Sequence, residues 1–224
     1  MEEVNRTVFY WLHKHLRTES DIPAVQKVMP VIYERYCKVM NPAYLDQEAP
    51  EGYRFWSDHS VEDDPSFVLG EELTFQEIAK RYDIPYTNEI STAAIARYLG
   101  GIPRELVTPE EGNIDEKVLP KVVELVRSFT NGPLFFHYDL LSLKGDFMKD
   151  YGRYFKGELD DVYKFTEDDR VLGSPTYWWP EDRSWCIYTD EDLCYTIIGG
   201  SNSLVDSLLA SDLEVIEVNP QTSL

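Results

Sequence analysis

Two short apolar runs near the C-terminus, Trp185 to Thr189 and Leu193 to Ile198, flank Asp190-Glu191-Asp192, and Gly199-Gly200 follows the second. Runs of this length around a polar trio read as a β-hairpin, although the turn lacks glycine. A turn made of residues 190–192 sets Tyr188 opposite Cys194. The two-residue period of a strand then puts Trp185, Ile187, Leu193, Tyr195 and Ile197 on one buried face. Ser201 or Ser203 caps a following helix whose inner side is Leu204, Val205, Leu208 and Leu209. Leu204 and Leu208 are expected to pack against that same sheet face. Leu213 to Val218 reads as a last strand. The C-terminal unit is therefore strand, strand, helix, strand.

Upstream the pattern is more helical. Val8 to Leu16 mixes apolar and aromatic residues, and Asp21-Ile22-Pro23 marks a helix start before Val25, Val28 and Met29. Val31 to Met40 fits either an alternating strand or a helical stripe. Gln47 to Gly70 reads mostly as loop. Thr74 and Glu77 form a capping box, with Leu73 and Ile78 as a hydrophobic staple, and this helix runs to about Tyr82. A second helix runs from Ser91 or Thr92 to Leu99, where Gly100-Gly101 supplies a left-handed stop. A third runs from about Lys117 to Phe129, with Pro120 in its first turn. After Gly132-Pro133, Leu134 to Tyr138 is a buried-strand candidate and Asp161 to Phe165 alternates like a strand. The expected fold is α+β, with helices mainly in the N-terminal half and a mainly antiparallel sheet of four to six strands late. Residues 1–224 read as a single α+β domain, with 131–133 the best internal boundary.

Charge decides which partners suit such a chain. Its formal net charge is −20, and 43% of its residues are hydrophobic, so it has the core of a folded protein with a strongly acidic surface. Binding to nucleic acid needs Lys and Arg to displace counterions from phosphates, so nucleic acid is excluded as a partner class, and anionic membranes are disfavoured. A basic protein partner is favoured, because opposite charge speeds encounter. From Glu158 onward, 15 carboxylates face three basic residues, a net −12. The acidic N-terminus and the lack of a long apolar run point to a cytoplasmic protein.

The densest motif is Tyr177-Trp178-Trp179-Pro180-Glu181-Asp182-Arg183-Ser184-Trp185-Cys186. Exposed Trp and Arg dominate interface hot spots, so Trp178, Trp179, Asp182 and Arg183 are candidate partner contacts. The plainer reading points Trp185 into the core, has Trp178 or Trp179 cover the sheet edge, and puts Arg183 in an ion pair with Asp182 or a nearby acid. Asp190, Glu191 and Asp192 join the candidate contacts as an acidic hairpin tip. Both this trio and Glu167-Asp168-Asp169 read better as solvated turns than as cation sites. Cys186 and Cys194 read as buried free thiols rather than a redox pair, and three cysteines do not make a disulfide framework. His13, His15, His59 and His137 lack metal-ligand spacing, and His137 reads as buried. No Walker loop, GxGxxG, CxxC or GxSxG pattern occurs, so neither a metal nor an organic cofactor is expected, and no catalytic residue is assigned.

The WWPEDRSWC segment, the acidic turn after it, the aromatic strand ending in GGS and the capped helix together resemble a family of bacterial cytoplasmic proteins of no assigned activity. The YCKVMNPAY stretch, the PEEG before the long helix and the FFHYD strand have counterparts in the same order. Where that family's pattern has His-Pro, this chain has Asn41-Pro42, which removes a histidine role there. By analogy of class, a small acidic α+β protein also looks like an immunity protein of a toxin system. The expected function is a non-enzymatic acidic binding protein, such as an immunity-type inhibitor of a basic toxin. The alternative is a carboxylate-based hydrolase or a metal-assisted enzyme.

Overall fold

The computed structural model describes residues 1–17, 24–59, 66–139, 152–166, 174–190 and 192–224. Its N-terminal elements are β1 (Glu2–Glu3), α1 (Tyr10–His13), α2 (Val25–Val28), β2 (Arg35–Met40), β3 (Ala43–Asp46), β4 (Leu69–Leu73), α3 (Phe75–Arg81), α4 (Thr92–Leu99) and β5 (Leu106–Val107). Then come α5 (Leu119–Arg127), β6 (Leu134–Asp139), β7 (Gly152–Gly157), α6 (Tyr163–Thr166), β8 (Tyr177–Pro180), β9 (Cys186–Thr189), β10 (Tyr195–Gly200), α7 (Asn202–Leu209) and β11 (Val215–Val218). Eight strands form the main sheet in the order β1-β7-β6-β8-β9-β10-β2-β11, and β4-β3-β5 form a smaller one. Every pairing among the described strands is antiparallel, and the fold is α+β with sheet predominating. Strand β2 lies between β10 and β11, so strands from both sides of Gly132-Pro133 share one sheet.

Both faces of the main sheet are covered. One face packs Tyr36, Met40, Trp179, Tyr188, Tyr195 and Ile197 against Leu12, Phe75 and Ile95. The other packs Cys37, Val39, Phe136, Trp178, Ile187 and Ile198 against α5 and α7. A strand buried on both sides has no polar face, and β9 and β10 are buried along their whole lengths. This is why the Val31–Met40 segment fits two patterns: β2, second from the edge, carries apolar residues on both faces, with Lys38 buried among them.

Burial on both faces also overturns the expected hairpin register. Tyr188 pairs with Ile197 rather than Cys194, and Thr189 with Thr196, so residues 190–194 connect the two strands. The shift is an odd number of positions, which turns each side chain to the other face. Trp185 and Ile187 accordingly pack with Leu204 and Leu208, while Leu193, Tyr195 and Ile197 lie in the opposite core. The strand–strand–helix–strand order itself is as expected. Gly199-Gly200 are the last two residues of β10, paired with Tyr36 and Arg35. A Cβ on Gly199 would stand 2.5 Å from the Tyr33 ring, so the aromatic cover over this strand needs glycine there. Residues 161–165, which alternate like a strand, instead form the end of a 3-10 turn and the start of α6. Within 47–70, β4 begins at Leu69, and Trp56–Asp58 is a 3-10 turn. The proposed helix start at Asp21-Ile22-Pro23 lies outside the described residues, as does Glu167-Asp168-Asp169.

The locally encoded helix ends are where the sequence places them. Thr74 Oγ1 accepts from Glu77 N at 3.1 Å, and Glu77 returns a carboxylate to Thr74 N at 2.9 Å. Ser91 caps α4, which stops at Gly100 with φ +86°. Pro120 lies in the first turn of α5, and Ser201 caps α7. One cap is not local: the Glu214 carboxylate accepts from Phe75 N at 2.7 Å and Gln76 N at 2.8 Å, orphan donors at the start of α3. Burial pushes the Glu214 carboxyl upward, outweighing these two donors and the Tyr86 hydroxyl. Glu214→Ala is expected to cost about 1–2 kcal/mol in urea denaturation, the usual scale of a lost cap. A variant as stable as the parent would mean that Thr74 alone caps α3.

Candidate functional site

The structure corrects the expectation that Trp178 or Trp179 stands exposed. Trp178 is 0% and Trp179 1% accessible, on opposite faces of β8. Trp178 meets Trp185 edge-on at 5.5 Å, and Trp179 meets Trp11 at 5.7 Å. Neither can touch a partner in this fold. Asp182 and Arg183 are exposed on the turn between β8 and β9, where Asp182 Oδ1 accepts from Ser184 N at 2.9 Å and Arg183 N donates to Pro180 O at 2.8 Å. Among the described residues Arg183 forms no ion pair with Asp182 or any other acid, and its guanidinium lies 5.0 Å from the centre of the Trp11 ring. Asp190 is half-buried and holds its own turn, accepting from the Tyr188 hydroxyl and from Asp192 N. Asp192 is exposed, and Glu191 lies outside the described residues. The two groups of candidate contacts sit at opposite ends of β9, separated by roughly 20 Å at ~3.3 Å per residue. The fold does not bring them together.

Other reactive groups are buried singly. The three cysteines are free and buried, and burial pushes the Cys37 thiol up to about 12. The Lys38 amine is 2% accessible, donates to the Ile90 carbonyl and lies 4.7 Å from the Tyr195 ring centre. Burial lowers it to about 8, partly offset by the Cys194, Glu214 and Glu89 charges. His59 accepts from Arg104 Nε at 2.8 Å, and His15 contacts the Trp11 carbonyl at 2.7 Å. No group of three or more His, Cys, Asp or Glu side chains among the described residues could hold a metal ion. No helix among them is long and apolar enough to cross a membrane.

A groove does form, in a region the sequence leaves as loop. It lies on the outer face of the small sheet. Ala43, Leu73 and Leu106 point into the core, and Tyr44 stands opposite Val107 and Glu72 on the other side. One wall is built on Arg104. Its guanidinium pairs with Asp46 at 2.6 Å, donates to the Ser66 carbonyl at 3.0 Å and lies 4.0 Å from the Trp56 ring centre. Trp56 Nε1 donates to Leu106 O at 2.8 Å, so the indole is fixed at both edge and face. Phe67 meets it edge-on at 6.1 Å.

The other wall is the loop from Pro109 into α5. Asn41 is its splint, donating Nδ2 to Asn113 O at 2.7 Å and accepting from Asp115 N at 3.0 Å. Ser174 Oγ donates to Asn113 Oδ1 at 3.0 Å and accepts from Ile114 N at 2.9 Å. The Asp115 carbonyl accepts from Val118 N and Leu119 N, both at 2.9 Å, which starts α5. A short side-chain amide that donates and accepts at once does this work.

The groove has two adjoining lobes of ≈ 670 Å³ and ≈ 570 Å³ that share Tyr44, Leu69, Pro109, Glu110 and Asp115. Each is of ordinary ligand-pocket size. The first is walled by Trp56, Phe67, Ile102 and Val107. The second adds Asn41, Asn113, Glu116 and Tyr163. The charged side chains lining it are Glu110, Asp115 and Glu116, and no Lys or Arg is among the lining residues. None of the three is in an ion pair among the described residues, whereas nearby Lys117 is matched by Glu72 at 2.5 Å. Sequence reasoning passed over these residues because they are scattered from Asn41 to Tyr163. The usable signals were Trp56 and Phe67 in an otherwise polar stretch and the carboxylates that follow Pro109. Compared with protein-family models, curated proteins and solved structures, the chain matches none.

Proposed function

We propose that this chain is a non-enzymatic binding protein for a basic protein partner, with immunity-type inhibition of a toxin as the specific form. The observation that carries this reading is the rigid aromatic groove whose lining charges are all carboxylates, on a chain of net charge −20. An apolar centre with a polar rim is the anatomy of a protein interface, and complementary charge sets the encounter rate. Asp182 and Asp192, exposed at the two ends of β9, act here as steering charges rather than as anchors. The enzyme alternative needs paired carboxylates raised in a cleft. Glu214 is the one described carboxylate held above its ordinary range, and it is occupied in capping α3.

The test is association kinetics with whatever protein is captured from the native cell. Raising salt from about 50 to 500 mM is expected to slow association by about tenfold or more and to change dissociation far less, because screening acts on encounter. Asp182→Lys with Asp192→Lys is expected to slow association in the same way. An acidic partner, or an on-rate indifferent to both changes, would sink the reading.

A further inference from the structure

We infer that the groove between the small sheet and the Pro109–Leu119 segment receives an arginine side chain of the partner, flanked by apolar neighbours. The inference rests on the proposed binding role and names what the site takes. The groove is graded along its length. Trp56, Phe67, Ile102 and Val107 line one end, and Glu116 with Asn41 and Asn113 the other. Glu110 and Asp115 lie where the two lobes meet. A side chain lying along it needs an apolar stem and a cationic head. Lysine and arginine both have these. Arginine suits this groove better, because its planar head is weakly hydrated, stacks on aromatic faces and forks onto carboxylates. The walls already accept cations in this manner: the Arg104 guanidinium lies 4.0 Å from the centre of the Trp56 ring, and Lys117 Nζ lies 5.2 Å from that of Tyr44. Both of those are neutralised, by Asp46 and Glu72. Glu110, Asp115 and Glu116 have no such counter-charge among the described residues; Asp115 Oδ1 accepts from Lys117 N at 2.8 Å, so Glu110 and Glu116 are the carboxylates most open to an incoming cation.

The groove also supplies its own reporter. Trp11, Trp178, Trp179 and Trp185 are at most 6% accessible, and Trp56 alone of the five tryptophans is partly exposed. A change in tryptophan emission on adding a ligand therefore reports on the groove.

The probe is a capped hexapeptide of alternating arginine and leucine, titrated against the full chain at low salt. Versions with lysine or glutamate in place of arginine serve for comparison. The arginine peptide is expected to change the emission saturably, the lysine peptide to bind about threefold or more weakly, and the glutamate peptide not at all. Trp56→Phe should abolish the signal. Glu110→Gln with Glu116→Gln, both exposed and outside the loop's hydrogen bonds, should weaken binding about tenfold. Asp182→Asn with Asp192→Asn removes as much charge elsewhere and should leave the affinity within twofold. Equal weakening by the two pairs would mean diffuse attraction and would overturn the inference, as would equal binding of the lysine or glutamate peptide or no saturable change up to millimolar arginine peptide. If the captured partner binds normally to Glu110→Gln/Glu116→Gln while the peptide fails, the inference falls and the binding role stands. If the peptide behaves as expected but the captured partner is acidic, the site assignment stands and the proposed role falls.

Discussion

Arg104→Ala is expected to destabilise the protein by about 3–5 kcal/mol, the scale seen when one member of a buried ion pair is removed. The Arg104 and Asp46 side chains are 2% and 0% accessible, so the carboxylate left behind could not recover its water. Its largest single influence is burial, which pushes Asp46 up. Donation from Val68 N and Glu48 N, together with Arg104, more than reverses this and holds the group below its ordinary range. Removing the guanidinium therefore removes part of what keeps a buried charge tolerable. Arg104→Lys should recover only part of the loss, because one ammonium cannot reach Asp46, His59 and Ser66 in the fork that arginine presents. The double variant Arg104→Met/Asp46→Leu should recover part of the stability, since apolar groups of similar volume often replace a buried pair at little cost, while Val68 N and Glu48 N lose their acceptor. It should nevertheless weaken peptide binding in the groove, because Trp56 loses the cation that holds its face. Urea denaturation and the emission titration separate the two effects. A single Arg104→Ala variant within about 1 kcal/mol of the parent, well short of a broken buried pair, would show that Asp46 is hydrated after all.

Acid should destabilise the protein through His137 by about 3 kcal/mol, the free-energy equivalent of its displaced titration. The imidazole is 6% accessible on β6, with its ring centre 4.3 Å from that of Phe9, 4.8 Å from Tyr154 and 6.0 Å from Tyr177. Nδ1 has no hydrogen-bond partner among the described residues. Burial first, and then the neighbouring His13 charge, lowers His137 from 6.5 to about 4. In the unfolded chain the ring gains its proton near pH 6.5, and in the folded chain only near pH 4. Between those values the unfolded state binds the extra proton. Stability is therefore complete above pH 6.5 and is lost as pH falls toward 4. His137→Phe should flatten this part of the profile. The parent should lose about 2–3 kcal/mol more than the variant between pH 7 and pH 4.5. Using the difference between two proteins cancels the carboxylates that titrate in the same window. Parallel profiles would show that His137 is protonated in the native state, with a partner that compensates it.

The parts of this fold legible in the sequence are those whose physics is local. The Thr74–Glu77 box, the Ser91 and Ser201 caps, the Gly100 stop and Pro120 in its first turn each involve groups within about four residues, where chain geometry leaves little choice. The strand–strand–helix–strand order was legible for the same reason. The candidate contacts were harder. Trp178 and Trp179 are adjacent, so on a strand they point to opposite sides, and each finds a core only because the sheet is covered on both faces. A dense run of tryptophans can mark an exposed hot spot or a doubly buried strand. What lies above and below it decides, and those elements come from elsewhere in the chain.

The sequence by itself determined the acidic charge, the helix ends and the order of the C-terminal elements, because each depends on composition or on near neighbours. Only the tertiary structure decided the face on which a strand residue lies, because a shift of the hairpin by an odd number of positions reverses it without altering the local apolar pattern. The groove was decided at that level too. Asn41, Trp56, Phe67, Arg104 and Asp115 meet there across more than seventy positions of chain, through hydrogen bonds and a buried ion pair that link β3, the Trp56 turn and the start of α5. No window of sequence contains that arrangement, since chain closure over such separations is set by the packing of the whole sheet.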